Sequence, residues 1–323
     1  MDLKNDHKLL GQWYKKNHRP LPWRANKDPY RIWLSEVMLQ QTTVVAVIPY
    51  FEKFLSKFPE VHDLANAPEA DVMEAWAGLG YYSRARNLHK AAKALSAGGF
   101  PETAAELLEL PGFGPYTSRA VASIAFGEKV GVLDGNVIRV LSRKYGLKLE
   151  WWNRAGRETL QKLSDELSAF GNADVTNQAL MELGATVCTP QKVMCLMCPW
   201  VSSCVANEKN LVDKLPLKKA RRASEVWVWQ PDVVIKDKKV ALIENDYAPF
   251  LKGQWLFPGE IRSDKNKPKD YDAKHNITHH DIYIQISRRK SLAGKNLRWV
   301  HLKELKKVNP SSLLQKVLQK VEV

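Results

Sequence analysis

The chain has 323 residues, more than one hydrophobic core usually serves, so its length predicts two or three domains. Its 49 lysines and arginines against 35 acids leave a net charge of +14, which is most simply matched by a polyanion, nucleic acid above all, the alternative being a basic surface that binds nothing. No run of about 18 residues is apolar and free of charge, and no early segment has the basic start, apolar middle and cleavage site of a signal peptide, so a soluble intracellular chain is expected.

From Leu3 to about Leu211 apolar residues recur at helical spacing. The segments Tyr30 to Tyr50, Asp71 to Trp76, Ser83 to Ala97, Thr103 to Leu110 and Tyr116 to Phe126 are each bounded by proline, glycine or capping residues, and a further helix is predicted from Asp134 to Lys144. This half reads as all-α. Residues 212–225 are basic, interrupted by Pro216 and without apolar periodicity, and read as a linker that either lies along phosphates or is merely solvated. The pattern then changes to short alternating runs, Val226 to Trp229, Val233 to Ile235, Val240 to Glu244 and His280 to Ile286, which predict strands. Residues 226–323 are therefore read as a small α+β domain closed by a helix from about Ser311 to Val321.

All four cysteines, Cys188, Cys195, Cys198 and Cys204, fall inside one 17-residue window, unlike the spread of a disulfide framework. Four thiolates on one loop suit a metal. Tetrahedral zinc accepts four sulfurs but usually joins two close-spaced cysteine pairs across a longer gap; a single Cys-x2-Cys between wider spacings suits a [4Fe-4S] cube better, and the cube, zinc and uncoordinated core cysteines remain open at this point. Between two helical patterns lies Leu110-Pro-Gly-Phe-Gly-Pro-Tyr-Thr117. Gly112 and Gly114 would let the backbone turn tightly and present amides at a helix N-terminus to a phosphate, in a helix-hairpin-helix or else an ordinary interhelical turn.

Two acids sit in contrasting settings, as hydrolysis of a glycosidic bond requires. Glu36, inside Ile32-Trp-Leu-Ser-Glu-Val-Met-Leu39, is expected to be desolvated, its pKa raised and its proton kept for donation. Asp134, in Leu133-Asp-Gly-Asn-Val137 at a helix start, is expected to be held ionised by amides and the helix dipole, as a stabiliser of a developing cation or as a plain N-cap.

Taken together, Leu34-Ser-Glu-Val-Met-Leu-Gln-Gln-Thr42, Gly78-Leu-Gly-Tyr-Tyr-Ser-Arg-Ala-Arg-Asn87, the 110–117 hairpin, Leu133-Asp-Gly-Asn-Val137 and the four cysteines resemble the MutY-type adenine DNA glycosylases. The resemblance covers the first two-thirds of the chain in order. It implies an all-α helix-hairpin-helix glycosylase over residues 1–211, with a barrel module at about 22–129 and a [4Fe-4S] module made of the N-terminal segment and about 130–211. Such an enzyme flips adenine out of a mispair with 8-oxoguanine or guanine in double-stranded DNA, because the glycosidic bond is out of reach inside the stack. By the resemblance, Glu36 protonates adenine N7 and assists the water, Asp134 stabilises or transiently traps the sugar cation, and Asn136 supports the pair. Arg24 and Gln178 line the adenine pocket, while Gln41, Thr42 and Tyr81 act at the opened stack, and basic groups such as Lys192 hold phosphates. Tyr116 stands where the related endonuclease III family has its lysine, so hydrolysis without strand cleavage is implied. A cytoplasmic monomer without a membrane partner, nucleoid-associated if bacterial, is expected.

The C-terminal part resembles the family's MutT-like (Nudix-fold) recognition domain more faintly, through Gly253-Gln-Trp-Leu-Phe-Pro-Gly259. No Arg-Glu-x-x-Glu-Glu run follows, so recognition without nucleotide hydrolysis is implied. Where the family has a Phe-Ser-His loop that reads 8-oxoguanine, this sequence has Ile277-Thr278-His279: Thr278 keeps a hydroxyl, His279 is retained and the stacking aromatic is lost.

Overall fold

A computed structural model describes residues 2–220, 223–289, 291–292, 296–309 and 311–321, so Arg221 and Arg222 of the predicted linker lie outside the described residues. The chain divides into two compact units, Met1–Lys219 and Ala220–Val323.

The first unit is helical: α1 Leu3–Asn17, α2 Pro29–Leu39, α3 Val44–Lys57, α4 Val61–Asn66, α5 Glu69–Ala75, α6 Ser83–Gly98, α7 Ala104–Leu108, α8 Pro115–Ala125, α9 Gly135–Lys144, α10 Arg154–Ala169, α11 Ala173–Thr186 and α12 Val205–Glu208. Helix α2 starts at Asp28, whose side chain accepts from the Tyr30 amide, with Pro29 in the first turn. It is apolar almost all round, and the whole stretch from Ile32 to Met38 is buried, as expected of a helix enclosed by its neighbours. Trp33 stacks on Phe113 at 5.2 Å between ring centres, which joins α2 to the hairpin before α8.

The predicted run from Tyr30 to Tyr50 is two helices, not one. The chain breaks at Gln40–Thr43, with Gln41 in the left-handed region at φ 59°. Apolar spacing passes through the break and conceals it, while Arg84 Nη1 donates to the carbonyls of Val37 at 2.7 Å and Gln40 at 2.6 Å, giving the end of α2 the donor it lacks. The segment read as unpatterned linker is partly anchored. Leu215 is buried, its carbonyl accepts from Arg143 Nε at 2.9 Å, and the Leu217 carbonyl accepts from Trp151 Nε1 at 2.9 Å.

The second unit carries β1 Glu225–Val233, β2 Ile235–Lys236, β3 Lys239–Glu244, β4 Trp255–Leu256, β5 Gly259–Asp264, β6 Ala273–Ile277, β7 His280–Ile284, β8 Ser287–Arg288 and β9 Arg298–His301, then α13 Leu305–Val308 and α14 Ser312–Val321. One sheet runs β5-β1-β7-β6, with β8 also on β1; β1 and β7 are parallel and the other main pairs antiparallel. The other sheet runs β2-β3-β4, with β9 on β3. Leu313, Leu314 and Val317 of α14 enter the same core as Trp229, Phe257 and Ile282. Strands β4, β5, β6, β8 and β9 were not predicted; β4 and β8 are two residues each, and β5 is largely exposed and lacks the alternation of a half-buried strand.

Candidate active site and cysteine loop

A cavity of about 680 Å³ in the helical unit is lined by Glu36 of α2, Tyr116 of α8, Asp134 and Asn136 at the start of α9, and Gln178 and Glu182 of α11. The stretch of α2 around Glu36 is buried, and the Glu36 side chain lines this cavity. Burial pushes its carboxyl up to about 7, helped by the charge of Asp134 and opposed by the Tyr116 hydrogen bond and by Arg24. The Tyr116 hydroxyl donates to Glu36 Oε2 at 2.6 Å and lies 3.0 Å from Met181 Sδ. Its own pKa is raised well above the ordinary value by burial and by Glu36.

Asp134 is the N-cap of α9. Oδ1 accepts from the Val137 amide at 2.7 Å and Oδ2 from Asn136 Nδ2 at 2.9 Å. The expectation that these donors dominate its ionisation needs correction, because burial outweighs them and lifts its pKa. Asn136 is held in turn by Arg139 Nη2 at 2.7 Å, and the same guanidinium reaches the Gly184 carbonyl at 2.8 Å and, through Nε, the Cys188 carbonyl at 2.7 Å. Gly184 lets α11 approach, since a Cβ there would lie 2.6 Å from Asn136 Cβ and 3.1 Å from its Cα.

Arg24 and Gln178 both line the cavity. Arg24 Nη2 donates to Glu182 Oε2 at 2.9 Å, while Arg19 Nε and Nη2 grip the two oxygens of the same carboxylate. Burial works to raise the Glu182 carboxyl, but the two guanidiniums prevail and hold it below its ordinary value. Gln178 Oε1 accepts from the Tyr14 hydroxyl at 3.1 Å, and its amide donates to Asp174. Sequence reading missed Glu182, whose signal is its place four residues after Gln178, on the polar stripe Asp174, Gln178, Glu182 and Thr186 of α11.

Gln41 and Thr42 line this cavity at the turn after α2, and Tyr81 stands at the turn before α6. Gln41 and Tyr81 both have positive φ, and Tyr81 is half exposed. Arg84, quoted in the motif but given no role, joins the two turns: it caps α2 before Gln41 and its guanidinium lies 5.4 Å from the Tyr81 ring centre. In the hairpin, Gly112 has φ 80° and packs so closely that a Cβ would meet Asn87 Cβ at 2.7 Å. Gly114 differs from its expected role: it is extended with φ −96° and open space around it, so it gives access to the first amides of α8 and takes no part in the tight turn.

The four cysteines are free thiols around one small apolar cavity shared with Val187, Val193, Val201 and Val212. Among the described residues, no three of these sulfurs lie within 4.8 Å of one another. Burial pushes the Cys198 thiol up to about 12, so a cationic centre is what would hold it as thiolate. Arg143 Nη1 is 3.4 Å from Cys188 Sγ, placing a permanent positive charge beside that sulfur. Lys192 is exposed on the loop between the first two cysteines. In the second unit, Thr278 and His279 form the two-residue turn between β6 and β7, with Thr278 at φ 52°.

The family model described as "HhH-GPD superfamily base excision DNA repair protein" matches residues 34–167. The adenine DNA glycosylase of Buchnera aphidicola subsp. Schizaphis graminum is 31% identical over 337 residues, covering 96% of this chain and 97% of that protein. The human adenine DNA glycosylase is 44% identical over 212 residues, 62% of this chain and 39% of that protein. Among solved structures, a thermostable thymine-DNA glycosylase superposes with a TM-score of 0.58 at 29% identity, covering 64% of this chain and 97% of its own.

Proposed function

The chain belongs to the adenine DNA glycosylases, hydrolases of base excision repair within the HhH-GPD superfamily, and from that premise we propose that it hydrolyses the N-glycosidic bond of adenine paired with 8-oxoguanine or guanine, without cutting the strand. The observation that carries this reading is Glu36: a buried carboxyl with a pKa of about 7, lining a cavity that Asp134 shares. A flipped adenine enters between Arg24, Gln178 and the carboxyls. Protonated Glu36 gives its proton to N7, the C–N bond breaks, and positive charge grows on the sugar beside Asp134. Burial disfavours the charge on Asp134, and the growing sugar cation offsets that cost, so the carboxylate stabilises the cation as it develops. Glu36, now ionised, takes a proton from the attacking water. Asn136 keeps the Asp134 carboxylate aimed. Tyr116, a phenol hydrogen-bonded to the acid, has no amine for a Schiff base, so the product is an intact strand with an abasic site.

Cys188, Cys195, Cys198 and Cys204 would hold a [4Fe-4S] cluster. Such a cluster supplies four iron–thiolate cross-links that brace the loop carrying Lys192, and hydrolysis moves no electrons through it. Backbone amides after Gly112 and Gly114, together with Lys192, would take DNA phosphates; Gln41, Thr42 and Tyr81 would occupy the gap in the stack. The second unit would be a MutT-like reader, with Thr278 and His279 at the base opposite adenine.

The test is single-turnover excision on duplexes with adenine opposite 8-oxoguanine and opposite guanine, analysed with and without alkali. Cleavage seen only after alkali, and faster opposite the lesion, is expected. Nicking before alkali would overturn the assignment of Tyr116, and equal rates would overturn that of the 278–279 turn.

A further inference from the structure

We propose that Glu225, His279 and His280 form a binding site for a single divalent transition-metal ion of the zinc type, on the second unit and apart from the four cysteines. The three side chains each offer a ligand atom, and these atoms lie within 4.8 Å of one another; among the described residues no other such group of histidine, cysteine and acid occurs. His279 Nε2 is 3.4 Å from Glu225 Oε1, and His280 Nδ1 is 3.2 Å from Glu225 Oε2. With metal–ligand bonds of about 2.0–2.2 Å, ligand atoms on a tetrahedron stand roughly 3.3–3.5 Å apart. Each histidine already stands at that spacing from one oxygen of Glu225, and the three ligand atoms, within 4.8 Å of one another, would close up by about an ångström to receive an ion.

The backbone explains why the three meet. Glu225 opens β1 and pairs with His280 in the parallel register of β1 and β7, and the Glu225 amide donates to the His279 carbonyl at 2.8 Å. Neighbouring strand residues would send side chains to opposite faces, but His279 belongs to the turn, so its ring folds over that of His280, with centres 4.1 Å apart. A ligating imidazole is normally oriented by a partner on its other nitrogen. Thr278 supplies one: its hydroxyl donates to the Ile277 carbonyl at 2.7 Å and lies 3.4 Å from His279 Nδ1. A proton on Nδ1 pointing at that hydroxyl leaves the Nε2 lone pair facing Glu225. On the other side, Trp227 Nε1 approaches Glu225 Oε2 at 3.3 Å, and the His280 ring packs edge-on to Trp227. Two imidazoles and a carboxylate, with a fourth position for water or another donor, favour zinc over the all-oxygen shells of calcium or magnesium. The bound ion would tie the 278–279 turn to the start of β1.

Cobalt(II), a spectroscopic substitute for zinc, distinguishes this site from the cysteines. Titration of the full-length protein, iron-loaded and quantified, should show one equivalent bound, with visible bands of a four-coordinate nitrogen–oxygen centre and no thiolate-to-metal charge transfer. Zinc should displace it. Glu225→Gln and His279→Asn, on different elements and each checked for folding by circular dichroism, should each weaken binding by more than the roughly tenfold that loss of an outer-shell partner costs. Thiolate bands, absence of saturable binding, or unchanged affinity in both variants would overturn the site.

Discussion

At the scale of single residues, the proposed chemistry rests on a carboxyl whose charged form the fold destabilises. Glu36 has a pKa of about 7 in the folded chain against an ordinary 4.5, so the folded state holds its proton more tightly than the unfolded state does. The associated stability is complete below the ordinary pKa and is lost as pH rises towards 7. Glutamine keeps the shape, still accepts the Tyr116 hydroxyl and carries no charge to bury. Glu36→Gln should therefore unfold at a higher temperature than the parent at pH 8, and its advantage should shrink by on the order of 2 kcal/mol on going to pH 5. Excision should fall by about 10²-fold or more, the usual effect of losing a general acid. Thermal melts across pH with parallel single-turnover rates check both; an advantage independent of pH would mean that Glu36 is not a strained acid. Tyr116→Phe acts on the same balance from the opposite side. The lost hydrogen bond is one that lowers the Glu36 pKa, so the alkaline fall in excision rate should move to higher pH. A shift to lower pH in the measured rate profile would contradict the role assigned to Tyr116.

Among the elements, α9 does most to couple parts of the site. Its N-terminus is capped by Asp134, Arg139 on it holds Asn136 and the Cys188 carbonyl, and Arg143 near its end reaches Cys188 Sγ and the Thr189 carbonyl. Its start is pressed against α11 at Gly184, where the atoms facing a new Cβ belong partly to backbone and cannot swing away. Gly184→Ala should cost about 1–3 kcal/mol of stability, as overpacking does. It should also slow excision of bound DNA more than it weakens DNA binding, because what moves is the Asp134 and Asn136 end of the helix. Denaturant titration and single-turnover kinetics at saturating enzyme would measure the two effects. Helices α6, α8 and α9 were legible because glycine, proline or an aspartate cap marks where each begins or ends. The break between α2 and α3 was not, since its cause, Arg84, lies more than forty residues away. Glu182 was hidden for the same reason: its partners Arg19 and Arg24 come from before α2, and no local pattern joins them to α11.

For the whole molecule, the change from helical to alternating spacing after residue 211 was visible in the sequence, while the division itself falls at Lys219, because Leu215 and Leu217 are drawn back onto α9 and the Trp151 side chain. Charge was legible without any structure, and it fixes how affinity must respond to salt. With an excess of 14 positive charges, binding of the proposed duplex substrate should displace condensed counterions through phosphate contacts. The logarithm of affinity should therefore fall linearly with the logarithm of salt concentration, with a slope of about −0.9 for each phosphate neutralised. Lys192 gives this a local test. It is exposed, its backbone is in the left-handed region at φ 52°, and it lies on the loop between Cys188 and Cys195. If it meets one phosphate, Lys192→Ala should reduce the magnitude of the slope by about 1. The loss should be equal for adenine opposite 8-oxoguanine and opposite guanine, because a phosphate contact carries no information about the base. Fluorescence anisotropy on both duplexes over a salt series measures this. An unchanged slope would remove Lys192 from the DNA contact, and a loss confined to the lesion-bearing duplex would make it part of base recognition instead.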